Sequence, residues 1–246
     1  MAHVEVHAAD VDLESPTLVE GLPGVGLVGK IAADHLISEL DMQYYASCHC
    51  DGLPEAAVYR EGRSDFEPPV RVYADPEHDL LVLQSDVPVS PESADEFAGC
   101  VTGWLGENDV TALYLSGLPT DEKADVPSLH GVGTNGAQEL LREHDIPEPS
   151  ENGLVSGPTG ALLYHAYRQD LPALGLVVQS SANFPDPEAA RVLLTEAIEP
   201  VTGVSVDTDS LVEQAEQIRQ AKQQLADQMK QAKEESSRAQ PTGMYQ

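Results

Sequence analysis

The sequence predicts an α/β fold: a three-layer α/β/α sandwich over residues 1–206, then a long helix over 207–236 and a flexible tail over 237–246. Three observations lead there. Short apolar runs alternate with helical patterns through the first and larger part of the chain. The 246 residues are 41% hydrophobic, enough for one sizeable core. The charge balance breaks near residue 206, with 35 acidic and 8 basic residues up to that point and 7 and 5 beyond it.

Thr17 to Glu20 reads as a strand leading into a glycine loop, Gly21 to Gly29. A helix follows from Lys30 to Leu40, with Ile31, Leu36, Ile37 and Leu40 on related faces. Strands are expected at Tyr44 to Cys50, Ala56 to Arg60, Val70 to Ala74 and Leu80 to Gln84. Ser90-Pro91-Glu92 opens the next helix, with serine as cap, proline at the first helical position and an acid in the first turn. Val110 to Ser116 is a buried strand, Gly136 to His144 and Gly160 to Arg168 are helices, and Leu174 to Gln179 is a strand again. Pro187-Glu188 opens a closing helix over Asp186 to Val201. Strand and helix in alternation place the sheet between helical layers.

The chain carries 42 acidic and 13 basic residues, a net charge of −29. Nucleic acid and an anionic membrane are disfavoured as partners, because both are held by clustered Lys and Arg. The acid is spread over almost every segment, which suits a halophilic cytoplasm where screening shrinks self-repulsion; an acidic patch for one basic partner would be local. No run of eighteen apolar residues occurs and the first residues lack the plan of a signal peptide, so a cytoplasmic location is expected. Three cysteines, odd in number and without a C-x-x-C pair, point the same way and read as buried small hydrophobes. Cys48-His49-Cys50 sets two thiols on one strand face, yet no second cluster completes a metal site, and no metal is expected.

No catalytic constellation is found. The eight histidines are dispersed, Ser116 and Ser156 lack the flanks of a nucleophile elbow, and no H-E-x-x-H occurs. Ser156, Thr159 and His165 stand near one helix start, where loop capping explains them better than anion binding.

The glycine loop matches two nucleotide fingerprints. Gly24-Val25-Gly26-Leu27-Val28-Gly29 is a G-x-G-x-x-G between strand and helix, with Asp51 further on where a dinucleotide site wants an acid. Through Lys30 the same residues fit G-x-x-x-x-G-K, but Ile31 replaces the hydroxyl that holds magnesium. Pro23 sits inside the turn. Two readings stand: a nucleotide- or small-molecule-binding protein or enzyme using Gly24 to Gly29, or glycines that let strand, turn and helix pack closely with no cofactor.

Glu20 to Ile37, EGLPGVGLVGKIAADHLI, resembles the opening signature of the proteasome assembly chaperone 2 family in its archaeal branch. Val132-Gly133-Thr134-Asn135, Gly153 to Gly160 and Pro185-Asp186-Pro187-Glu188-Ala189-Ala190 are similar to that family too. The resemblance implies an α/β/α domain that self-associates as a homo-oligomer and contacts the proteasome's outer α ring, without catalysis. Pro23, Gly24, Gly26 and Gly29 are then its signature loop.

Beyond residue 206, Asp207-Thr208-Asp209 supplies caps and first-turn acid for a helix. Leu211, Ala215, Ile218, Lys222, Leu225, Met229 and Ala232 step by heptads, with Lys222 as a polar interruption. A coiled coil between subunits and an amphipathic helix lying on its own domain both satisfy that pattern. Ser236 to Gly243 has no periodicity and reads as a tether. The sequence closes on Met244-Tyr245-Gln246, which resembles the hydrophobic-tyrosine-any tail of proteasome activators. Its chemistry is an apolar side chain for a groove, a flat ring with a polar tip, and a carboxylate that seeks a cation.

The charge has a measurable consequence. The screening length grows from about 3 Å in 1 M salt to about 10 Å at 0.1 M, so carboxylate repulsion then reaches across the surface. Thermal melts should fall steadily as salt is diluted over that range; a melting temperature that does not move would assign the acid to a partner instead of the solvent.

Overall fold

The computed structural model describes residues 2–120, 126–218 and 220. The chain runs β1 (His3–Val6), β2 (Thr17–Gly21), α1 (Val28–Glu39), β3 (Gln43–His49), β4 (Val58–Tyr59), β5 (Phe66–Glu67), β6 (Val70–Asp75) and β7 (Leu80–Ser85). It continues with α2 (Ala94–Glu107), β8 (Thr111–Pro119), β9 (Leu129–Thr134), α3 (Gln138–Glu143), α4 (Gly157–Arg168), β10 (Ala173–Ser180), α5 (Pro187–Leu193) and α6 (Glu199–Thr202). A π-helical turn, Leu194–Ile198, joins α5 to α6, and a further helix covers 209–218.

One eight-stranded sheet has the order β1-β3-β6-β7-β2-β8-β10-β9, and β4 pairs with β5 in a separate hairpin. β7, β2, β8 and β10 run parallel, while the flanking pairs are antiparallel. Alternate residues of the parallel strands face opposite layers. Val19, Val82, Leu113 and Leu176 share a core with α1 and α5; Leu18, Leu83, Ala112 and Tyr114 share one with α2 and α4. Helices on both faces of a mixed sheet are the three layers expected.

Ser90 caps the second long helix as expected, its hydroxyl accepting from Ser93 N–H at 3.3 Å. Asp186 caps α5, accepting from Ala189 N–H at 3.3 Å. The expected strand over Ala56 to Arg60 shrinks to the two residues of β4, on a hairpin outside the main sheet. β1 and β9 were not expected. β9 hides behind its glycines, Leu-His-Gly-Val-Gly-Thr, which dilute the alternation that marks a strand.

The cysteines need a correction. Cys50, just past β3, is disulfide-bonded to Cys100 on α2, so two of the three are not free thiols, and their odd count gives no support to a reducing compartment. Sequence spacing gave no sign of it, because the partners lie 50 residues apart. In the chain-entropy picture a cross-link closing that loop stabilises by about 4 kcal/mol. Cys48 does behave as a buried hydrophobe, with burial pushing its thiol up to about 12. Among the described residues no helix is long and apolar enough to cross a membrane, and no three His, Cys, Asp or Glu side chains are grouped to hold a metal.

Helix endings follow one rule. Each of α1, α2, α3 and α4 stops two residues before an aspartate in the left-handed region: Asp41, Asp109, Asp145 and Asp170, with φ between 48° and 56°. Glycine ordinarily takes that place, and Asp is among the few other residues that tolerate it. A carboxylate at the negative end of a helix dipole is unfavourable, and salt screens the penalty. Asp109→Asn and Asp170→Asn keep the backbone preference and remove the charge. Each should raise stability by about 0.3–1 kcal/mol at low salt, with the gain vanishing in molar salt; urea titrations at the two ionic strengths measure it, and equal gains in both would mean the charge is not the cause.

Candidate functional site

At the carboxyl end of β2 the chain turns sharply into α1. Leu22 and Pro23 leave the strand, a 3₁₀ turn covers Val25–Leu27, and Gly26 and Leu27 both adopt left-handed φ, 63° and 52°. Gly26 is required twice over: by its φ, and because a Cβ there would sit 1.9 Å from Ser180 Oγ. Its carbonyl accepts from Asp186 N–H at 2.8 Å. Gly29 is tight against Leu22 O, 3.3 Å from where its Cβ would lie, and Gly117 of β8 leaves room for Val25 O, which a Cβ would meet at 2.4 Å. Gly24 is exposed, has extended backbone and meets nothing within 4 Å, and Pro23 is half-buried. The close-packing role thus falls on Gly26 and Gly29, and Gly24 has no part in it.

Beneath the loop lies Glu20, fully buried at the end of an otherwise apolar strand. Leu22 N–H donates to Oε1 and Leu115 N–H to Oε2, both at 3.0 Å, and Thr159 Oγ1 at the start of α4 donates at 3.4 Å. Burial outweighs these donors and pushes the carboxyl up to about 7. Tyr114, whose buried hydroxyl has no hydrogen-bond partner among the described residues, is held neutral by burial and by the Glu20 charge. Glu20 therefore ties β2, β8 and α4 at one point. Its signal in the sequence is a lone carboxylate directly after Thr17-Leu18-Val19.

Three of the four family-like stretches converge here: Glu20 with the glycine loop, Thr159 from Gly153–Gly160, and Asp186 from the Pro185 segment. Asp186 also accepts from Ser181 N–H at 2.8 Å, so it clips the end of β10 to the loop. The fourth stretch lies at the other end of the sheet, where Asn135 Nδ2 donates to Ala166 O and Leu171 O and closes the end of α4.

The nucleotide fingerprints fit poorly. The space beside Gly26 that a phosphate would approach is taken by Ser180. β3, which leads to Asp51, is three strands from β2, with β7 and β6 between, whereas a dinucleotide fold sets its acid on the neighbouring strand. Lys30 Nζ is engaged by Asp34 at 3.0 Å and Asp86 at 3.4 Å. These residues line a pocket of about 280 Å³ with Arg60, Tyr73 and Gln84, where Asp86 also pairs with Arg60 at 2.8 Å and with the fully buried Arg71 at 2.6 Å. The cations there are matched by carboxylates, which leaves little net charge to draw an anion.

Ser156, Thr159 and His165 do not form a cluster. His165 is two turns along α4, bonded to Asp95 at 2.8 Å, and Ser156 caps α4 without a side-chain bond. Of the helix seam, Leu211 is buried in the α1-side core, while Ala215 and Ile218 are half-buried between exposed neighbours. Leu225, Met229, Met244, Tyr245 and Gln246 lie outside the described residues.

Glu20 yields a pH prediction. The folded chain holds its proton more tightly than the unfolded chain, where an ordinary value is 4.5. The stabilisation is complete below that value and is lost as pH rises towards 7, by about 3 kcal/mol in all. Relative to Glu20→Gln, the wild type should lose stability between pH 4.5 and 7 and run parallel above it in denaturant titrations. Parallel profiles throughout would mean Glu20 stays ionised.

The PAC2 family model matches residues 18–226. An uncharacterized protein of Methanocaldococcus jannaschii is 28% identical over 225 residues, covering 91% of this chain and 90% of that one. Pyrococcus furiosus PbaA, an archaeal homolog of proteasome-assembly chaperone, matches with TM-score 0.78 and 26% identity over 95% of this chain and 96% of its own. PbaB of the same organism, an archaeal proteasome activator, shares the fold with TM-score 0.78 and 24% identity over 92% of this chain and 98% of its own. With Glu20, the glycine loop and most of its length inside that match, the chain belongs to the PAC2 family.

Proposed function

We propose that this chain is a non-enzymatic proteasome assembly chaperone that self-associates through its α/β body, residues 1–206, and docks on the proteasome α ring through Met244, Tyr245 and Gln246. The observation that carries the reading is the match to PbaA over nearly the whole of both chains. The glycine loop supports it, because Gly26 and Gly29 are taken up in internal packing. On this reading residues 207–236 are an arm and 237–246 a tether, and the partner particle places the protein in the cytoplasm. Several tethered tails facing a ring of repeated pockets gain through effective concentration, so each tail need bind only weakly.

The test is capture of proteasome α rings by the 246-residue chain. Deleting Met244, Tyr245 and Gln246 should leave the melting temperature unchanged and reduce capture at least tenfold. Tyr245→Ala should come close to the deletion, since it removes both ring and hydroxyl, and Gln246→Ala should change little. Wild-type capture by the Tyr245→Ala chain would remove the tail from the docking role.

A further inference from the structure

Between β3 and β6, neighbours in the sheet, the chain makes a long excursion over residues 50–69 that carries the β4–β5 hairpin. From Asp51 to Phe66 no residue is buried, and only Leu53, Val58 and Arg60 are half-buried. So little apolar contact gives such a segment scant stability of its own.

Its two ends are held on opposite faces of the sheet. At the near end Cys50 and Leu53 join the α2-side core, and Gly52 lies so close to the start of α2 that a Cβ would fall 2.4 Å from Ser93 Cβ. The disulfide from Cys50 to Cys100 adds a covalent bond to α2. At the far end, beside Lys30 and Asp34 of α1, Arg60 pairs with Asp86 at 2.8 Å and Glu67 with Arg71 at 3.5 Å. Asp86 N–H also donates to the Pro69 carbonyl at 2.9 Å. Pro54 to Ala57 cross exposed between these anchors.

The disulfide is approached from one side. Cys50 is 6% exposed and Cys100 is half-buried, so an incoming thiolate reaches Cys100 Sγ more readily. Cys48 shares the α2-side core with Cys50, but burial keeps its thiol protonated, and the attacking species in exchange is the thiolate. Shuffling within the chain is thereby suppressed.

We propose that Cys50–Cys100 is a reversible redox clamp on the excursion, closed when oxidised and opened when a dithiol reduces it. One thiolate of the dithiol attacks Cys100 Sγ, the S–S bond breaks, and Cys50 leaves as a thiolate that takes up a proton. The second thiol then displaces Cys100, which also leaves as a thiol, and the dithiol departs as a cyclic disulfide. Two electrons and two protons have passed to the chain. With the clamp open, the near end keeps only Leu53 and the contact at Gly52, and the hairpin is held from its ionic end alone. Tyr59 and Phe66, opposed across that hairpin and 84% and 71% exposed, then sit on a segment free to move. A disulfide in a cytoplasmic protein meets reducing thiols, and such bonds are usually redox-sensing. That setting rests on the location proposed above; the clamp itself is tested on the pure chain, and the loss of α-ring capture would leave its result untouched.

Trypsin reads the clamp, because Arg60 and Arg63 are its sites within the excursion. In full-length chain purified without reductant, thiol titration after denaturation should count one free thiol, Cys48, and three after reduction; three at the outset would overturn the clamp. Mass spectrometry of the fragments follows each site in molar salt, and circular dichroism checks that every form is folded. Dithiothreitol on the wild type, and Cys100→Ser without it, should each speed cleavage at Arg60 and Arg63 at least tenfold, with cleavage at Arg142 and Arg168 unchanged. Oxidised glutathione, added once the reductant is removed, should restore protection to the wild type and not to Cys100→Ser. Cleavage that stays slow after reduction would overturn the clamp. A rise shared by all four sites would overturn it too, by assigning the disulfide to the whole body, and protection that never returns would overturn its reversibility.

Discussion

The carboxyl of Glu20, shut away from water between β2, β8 and α4, is the contact on which the loop end of the molecule depends. A buried carboxylate is tolerable only where donors converge on it, and two of its donors are backbone N–H groups whose positions are set by β2 itself and by β8. Meeting that demand fixes the exit of β2 and therefore the path of the glycine turn. Once the turn is placed, Gly26 must pass under Ser180, and its carbonyl must find Asp186. The cap of α5 and the end of β10 are thus consequences of the same buried acid. Three of the family-like stretches are far apart in sequence and yet meet at this one end of the sheet.

Bases are so few here that their positions are informative. Four of them, Lys30, Arg60, Arg63 and Arg71, gather beside the small β4–β5 hairpin. Arg71 has no exposed side-chain surface, yet it reaches Asp86, Gln84, Tyr73 and the Pro68 carbonyl. A buried guanidinium with its donors satisfied adds less to stability than to geometry: through Glu67, 3.5 Å away, it specifies where the hairpin sits beside β6.

Much of this was legible in the residues. Leu80 to Gln84 and Leu174 to Gln179 announce buried parallel strands by continuous apolar runs, and Ser90-Pro91 and Asp186-Pro187 mark helix starts through local hydrogen bonding. What escaped was set by contacts distant in sequence. Cys50 finds Cys100 only after β3 and α2 are stacked, and β9 is a strand because β10 offers it an edge, since its own propensity is low. Within the loop, G-x-G-x-x-G treats Gly24 and Gly26 alike. Their environments differ: one lies in open solvent and the other against Ser180, and only the packed structure distinguishes them.

The helix over 209–218 begins on the α1 side of the sheet: Leu211 joins the core formed with α1 and α5, and His35 Nε2 bonds the Asp207 carbonyl at 2.7 Å. These two contacts, one apolar and one polar, fix the point at which the segment beyond residue 206 leaves the body. On the function proposed above, the spacing between such exit points, more than the strength of any single tripeptide, would govern how well a repeated ring of pockets is matched.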